Sequence, residues 1–188
     1  MTRPMFDHAK RLARKLHPGR FLRREDGNAT VEFAILFPLF VTLLVSAVEI
    51  GFITMRHTLL DRAVDLTVRD IRLGTGSAPQ FEQIRDTICT RAGAIPDCQD
   101  NLNIQMIRLD LRNYTPPPAD FACTNEAEEV EPVRTFTNGM DNEMMLLRIC
   151  AMFKPIFPLS GLGRDLKSSG VNGYTAMISS TAFVQEPR

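Results

Sequence analysis

The longest hydrophobic run in the chain covers residues 33–53 and is interrupted by one charge, Glu49. At about 1.5 Å rise per residue it measures roughly 31 Å as a helix, the thickness of a bilayer hydrocarbon core, so it predicts a membrane-crossing helix. Pro38 lies inside the run, where it removes the bond to the Ala34 carbonyl and predicts a kink or local loosening. Beyond Gly51 the pattern turns amphipathic. Leu60, Val64, Thr67, Val68 and Ile71 recur at helical spacing, while Asp61, Arg62, Asp65, Arg69 and Arg72 take the other faces. One helix is therefore expected from Ala29 to Leu73, leaving the apolar solvent without stopping and ending at Gly74. Asp65 and Arg69, at i, i+4, add a few tenths of a kcal/mol of exposed support.

The remaining pattern predicts shorter elements. Residues 79–92 read as a helix with Ser77 and Gln80 spaced as a capping box and an apolar stripe of Phe81, Ile84 and Ile88. Residues 102–111 alternate as a strand, but the apolar phase shifts after Met106, which predicts a β-bulge there. Pro116-Pro117-Pro118 and the acids Glu126, Glu128, Glu129 and Glu131 mark a long surface loop over residues 114–131. A weaker strand is expected at 133–137, a central strand covered on both faces at 144–153, and an alternating strand at 173–184. Pro155, Pro158, Gly161 and Gly163 predict an irregular connection between the last two. The sum is a small antiparallel sheet of three or four strands, with the outer half of the long helix and the short helix laid on one face.

Charge adds a direction to this plan. Residues 1–27 carry eight Lys and Arg against three acids, and the remainder carries fourteen against nineteen. The basic cluster, including Arg23 and Arg24, lies wholly before the apolar run, which reads as a signal that holds the N-terminus in the cytoplasm and sends the C-terminal part across. A net acidic remainder excludes the usual nucleic-acid footprint. No small-residue A-x-A site follows the run, which is too long for an ordinary secretory signal.

Cys89, Cys98, Cys123 and Cys150 all fall on the far side of the run. An even number in an oxidising compartment predicts two disulfides, and of the three connectivities Cys89–Cys98 with Cys123–Cys150 is favoured because each closes a short loop between neighbouring elements. Zinc-type spacing is absent, and His8, His17 and His57 are remote from the cysteines. The acidic loop lacks the EF-hand pattern, and Gly74-Thr75-Gly76 lacks the full glycine pattern of a phosphate loop. With no G-x-S-x-G elbow and no H-E-x-x-H, no catalytic, metal or cofactor-binding residue is assigned. The chain is not read as an enzyme.

Gly27, followed four residues later by Glu32-Phe33 on a fresh apolar helix, resembles the processing site of type IV pilins. The wider set of residues 27–34, Pro38, Glu49-Ile50-Gly51, Leu60, Ala63 and Arg69 is similar to the TadE-like pseudopilins of the tight-adherence branch. The resemblance is strong over residues 20–73 and thin beyond, apart from the connection at 155–163 and the polar ending Phe183-Val184-Gln185-Glu186-Pro187-Arg188. Phe33 stands where major pilins of this branch commonly have tyrosine, and the chain is much longer than those pilins.

What the resemblance implies is a pilin-like α+β fold with three parts: a basic cytoplasmic leader at 1–27, a long transmembrane helix at 28–73 and a periplasmic α+β domain at 74–188. It also implies cleavage after Gly27 by a prepilin peptidase, leaving Asn28 as the mature N-terminus in a bacterial inner membrane. The implied partners are that peptidase, other pilins and pseudopilins, the inner-membrane pilus assembly platform and membrane lipid, with no nucleic acid. Pro38, Glu49 and Gly51 would serve kinking and helix packing.

An acid inside a membrane helix is costly, so Glu32 needs a role. One turn from the new amine at Asn28, it can neutralise that amine or a neighbouring subunit's; alternatively it rests at the headgroup boundary. Glu49 is expected at the outer interface in preference to pairing with a basic group on a partner. The functional expectation is a minor pseudopilin acting in assembly of a tight-adherence (Flp-type) pilus. The alternative is a membrane-anchored periplasmic adhesin, binding or regulatory domain that never enters a fibre.

Overall fold

The first element, α1 (Ala29–Arg72), is a single unbroken helix with Pro38 inside it. The computed structural model describes residues 29–73, 79–117, 121, 123–124 and 136–187. Arg23, Arg24, Gly27, Asn28, Gly74, Ser77, Val133 and the acidic loop residues lie outside that set. The chain divides into two compact units, residues 1–41 and 42–188, and the elements below belong to the second.

After α1 come α2 (Phe81–Ala92), α3 (Cys98–Asn101), β1 (Leu102–Leu109), β2 (Met144–Phe153), α4 (Gly161–Ser169) and β3 (Thr175–Val184). The three strands form one antiparallel sheet in the order β1-β2-β3, which makes the protein α+β with β2 in the centre. Odd-numbered residues of β2, from Met145 to Phe153, point to one face, because successive side chains in a strand alternate. They meet Leu60, Ala63, Val64, Val68 and Ile71 of α1 and Ile84, Ile88 and Ala92 of α2 in one core. The 3-4 spacing along α1 thus becomes its buried stripe.

Of the strand expected at 133–137, the described residues 136 and 137 show a parallel bridge between Phe136 and Met106, where the Thr137 N–H reaches the Met106 carbonyl at 3.0 Å. Phe136 also meets Phe81 edge-on, with ring centroids 6.0 Å apart, and so ties the β1 margin to α2. The bulge expected near Met106 is absent: pairing runs without a slip from Leu102 opposite Ala151 to Leu109 opposite Met144. Ile107 and Leu109 instead occupy the opposite sheet face, where they are half-buried, so the shift in apolar phase is a change of face rather than of register.

α2 starts three residues later than an N-cap at Ser77 would place it. Its N-cap is Gln80, whose backbone N–H is bonded by the Gln83 side chain at 3.1 Å. At its other end Gly93 adopts a left-handed φ of 60° and returns its N–H to the Cys89 carbonyl. The connection at 155–163 is not wholly irregular, since α4 begins within it at Gly161. Gly173 belongs to the tight turn before β3, where Asn172 and Gly173 both have positive φ, 52° and 79°.

Disulfides join Cys89 to Cys98, fastening α2 to α3, and Cys123 to Cys150, fastening the loop to β2. The second bridge lies on the sheet face away from α1, in a smaller cluster of Cys150, Met152 and Tyr174 with Phe121. Two further clamps hold α1. Arg91 donates to Thr67 Oγ1 at 3.2 Å and to Asp70 Oδ2 at 2.5 Å, and the buried Gln185 side chain donates to the Ile71 carbonyl at 3.0 Å. The last bond satisfies one of the carbonyls that a helix end leaves without an internal partner.

Candidate functional site

The first half of α1 is apolar and exposed on every side. Val31, Phe33, Ile35, Leu36, Leu39 and Phe40 each show more than half of their surface. A helix apolar all round and unburied within its own chain calls for a nonaqueous solvent or other helices. Among the described residues it is the one helix long and apolar enough to cross a membrane. Glu32 lies in its first turn, where a negative charge is favoured by the exposed N–H groups, and Phe33 stacks on Phe37 at 4.8 Å. Gly51 has nothing within 4 Å of where a Cβ would stand, so its small size serves no contact within this chain.

Hydroxyls in the second unit's part of the run are bonded back to the helix. Ser46 donates to the Thr42 carbonyl and Thr54 to that of Ile50, both at 2.8 Å, which removes the cost of carrying a free hydroxyl through lipid.

Glu49 is enclosed by the chain's own fold. It is fully buried, and its two carboxyl oxygens accept the backbone N–H groups of Ile156 at 3.0 Å and Phe157 at 2.9 Å. The turn at 155–163 folds over the acid and supplies two donors from its own main chain. One turn earlier on the same face, Ser46 Oγ accepts the Leu162 N–H at 3.2 Å. Leu162 is the second residue of α4, whose N-cap Ser160 makes no side-chain capping bond, so α1 caps α4 from outside.

Two glycines make this approach possible. A Cβ on Gly161, which has a φ of 53°, would overlap the Ser46 hydroxyl, and one on Gly163 would overlap the Phe157 carbonyl oxygen and stand 3.2 Å from Glu49 Oε2. Sequence reasoning treated both as loop breakers and missed α4 and the clasp. The available signal was Ser46 and Glu49 at i, i+3 in an otherwise apolar run: two acceptors on one helix face.

Farther along the same face, the Arg56 guanidinium packs 5.3 Å from the centre of the Phe153 ring. His57 pairs with Asp61 at 3.0 Å on the exposed side. In the outer part of the domain, Glu143 accepts the Met140 N–H at 3.0 Å and an Arg108 N–H at 2.6 Å; these two bonds, in that order, hold its carboxyl below the usual carboxylate range. Among the described residues no group of three or more His, Cys, Asp or Glu is placed to hold a metal ion.

The geometry is that of a helix with an exposed apolar half, locked at Ser46 and Glu49 to a small disulfide-stapled domain. No curated protein and no solved structure matches the chain. The family model described as TadE-like protein matches residues 27–69, which take in the exposed half of α1, the Ser46–Glu49 acceptor pair and most of the helix's core face. By this segment the chain is similar to the TadE-like proteins, a likeness that suggests involvement in a tight-adherence pilus system.

Proposed function

We propose that the protein is a structural minor pseudopilin of a tight-adherence (Flp-type) pilus assembly system. Its leader is cut after Gly27 by a prepilin peptidase, and α1 then acts in pilus initiation or assembly by packing against the helices of other pilins. The observation that carries this reading is the exposed apolar half of α1 inside a TadE-like match that begins at Gly27. A single-pass arrangement with the N-terminus in the cytoplasm and residues 74–188 in the periplasm follows from the basic leader.

Cleavage would create a cationic amine at Asn28, one turn before Glu32. The pair can neutralise each other in lipid, or Glu32 can receive the amine of a neighbouring subunit during assembly. Gly27, without a side chain, suits an extended backbone in a narrow protease cleft.

Co-expression with a prepilin peptidase tests the proposal: N-terminal sequencing should begin at Asn28, and Gly27→Ala should leave the leader attached. A mature protein that keeps its leader in the presence of an active peptidase would overturn it. Fractionating sheared pili from inner membrane then distinguishes a fibre subunit from an anchored domain that stays in the bilayer.

A further inference from the structure

We propose that the turn at 155–163, with the start of α4, is a second membrane contact, seated in the headgroup and upper acyl region of an anionic bilayer beside the anchor helix. This rests on the reading that α1 spans the membrane.

The first argument is position. The site at which Gly161 meets α1 is formed by the Ser46 side chain and the Thr42 carbonyl. Thr42 precedes Glu49 by seven residues, so the turn reaches about 10 Å along the helix from Glu49 toward the N-terminus. Residues 42–53 belong to the apolar run, and a turn lying against them is carried to the depth that they occupy. Counted from Ile53 at the outer end of the run, Glu49 lies about 6 Å and Ser46 about 10 Å inward, which matches the roughly 5–10 Å to which interfacial segments sink.

The second argument is surface chemistry. Leu159 is 84% exposed and Ile156 38%, with Phe157 and Pro158 beside them, so the tip presents apolar groups that nothing in the domain covers. Four of its main-chain donors are bonded within the chain: those of Ile156 and Phe157 by Glu49, that of Leu162 by Ser46 and that of Ser160 by the Phe157 carbonyl, while Pro158 has none. Entry into lipid demands such satisfaction, because no water is there to replace it.

The third argument is charge. Arg164 and Lys167 of α4 are exposed next to the tip, Lys154 is exposed with its ammonium over the Tyr174 ring at 4.6 Å, and Asp165 is the sole acid in residues 154–169. An apolar tip bordered by long cationic side chains fits an anionic headgroup layer, with the stems in the apolar region and the charges at the phosphates. Glu49 and Ser46 thereby acquire a purpose beyond stability: they hold the tip at a fixed depth.

The chain contains no tryptophan, so single-tryptophan variants report without background. Leu159→Trp, Phe40→Trp and Leu111→Trp are each placed in the full chain, reconstituted alone in nanodiscs of phosphatidylethanolamine and phosphatidylglycerol with or without brominated acyl chains. Phe40→Trp reports the anchor, and Leu111→Trp an exposed site far along the domain sequence. The expected result is that brominated chains lower the emission of Phe40→Trp and of Leu159→Trp, the latter roughly twofold as for a ring at the membrane interface, and leave Leu111→Trp unchanged. Ile156→Trp repeats the measurement from the other side of the turn. If Phe40→Trp is quenched while Leu159→Trp and Ile156→Trp behave like Leu111→Trp and stay open to aqueous iodide, the inference is wrong and the anchor reading stands. If Phe40→Trp itself escapes quenching, the anchor reading fails and takes this inference with it.

Discussion

The Phe157 N–H donates to Oε2 of Glu49 at 2.9 Å across 108 residues of sequence, and the neighbouring Ile156 N–H donates to Oε1. An acid in an apolar helix thus has both carboxyl oxygens hydrogen-bonded by main-chain donors. Successive main-chain N–H groups that converge in this way form a concavity for an acceptor group, and here the acceptor belongs to the same chain.

Glu49→Ala should strand both N–H groups in a partly buried turn. At about 1–3 kcal/mol for each unsatisfied donor, the expected loss is roughly 2–6 kcal/mol, with Glu49→Gln falling between it and the parent because one acceptor oxygen remains. Hydrogen exchange of residues 155–163, measured in detergent micelles beside the thermal transition, should accelerate selectively. Unchanged protection there would mean that the turn is held by packing alone.

The glycines of the turn give a sharper contrast. Gly163→Ala forces a Cβ into the Phe157 carbonyl and Gly161→Ala forces one into Ser46, so each should destabilise by about 1–3 kcal/mol, as overpacking does. Gly51→Ala meets open space and should be neutral or stabilising by up to about 1 kcal/mol in the isolated chain. A Gly51→Ala variant that keeps its melting temperature but forms fewer pili would place the need for that glycine between subunits.

Much of this architecture is legible in the sequence. The stripe from Leu60 to Ile71 declares itself through spacing because it is buried against an apolar sheet, and the central strand through an apolar run broken only by Arg148 because both its faces are covered. The partner of Glu49 does not, since a search by residue type looks for a cation and a backbone N–H has no letter. α4 was hidden for a related reason. Gly161 and Gly163 look like loop punctuation, but they are present because Ser46 and Phe157 leave no room for a side chain. In β1, Ile107 and Leu109 mimic a bulge because the sheet's second face is itself half-covered.

The two disulfides should contribute unequally. Their cysteines are 9 and 27 residues apart, for which the chain-entropy relation gives about 2.6 and about 3.5 kcal/mol respectively. Replacing Cys123 and Cys150 together by serine should therefore lower the melting temperature more than replacing Cys89 and Cys98 together. Denaturation of both double variants beside the parent, under oxidising conditions, provides the comparison.

Glu143 predicts an acid limb in the stability profile. Its folded carboxyl titrates below the ordinary value because of the Met140 N–H and the Arg108 guanidinium. The contribution is fully present above the unfolded pKa and is lost as pH falls through the lowered folded one. Glu143→Gln should be less stable than the parent near neutrality and should lose less on acidification below about pH 4.3, the ordinary glutamate value. Thermal melts at neutral and acidic pH check the sign, and parallel profiles would remove Glu143 from the account.

Gln185 donates to the carbonyl of Ile71 across 114 residues, and Arg72 pairs with Glu186 beside it. Synthesis runs from the N-terminus, so the end of α1 emerges early and receives this cap only after β3 has been made. Until then the Ile71 carbonyl lacks the Gln185 donor and the sheet lacks its third strand. Residues 185 and 186 thus latch the end of α1 last: a chain stopped before Gln185 would carry all of α1 with that end unlatched, and would be more open to proteolysis.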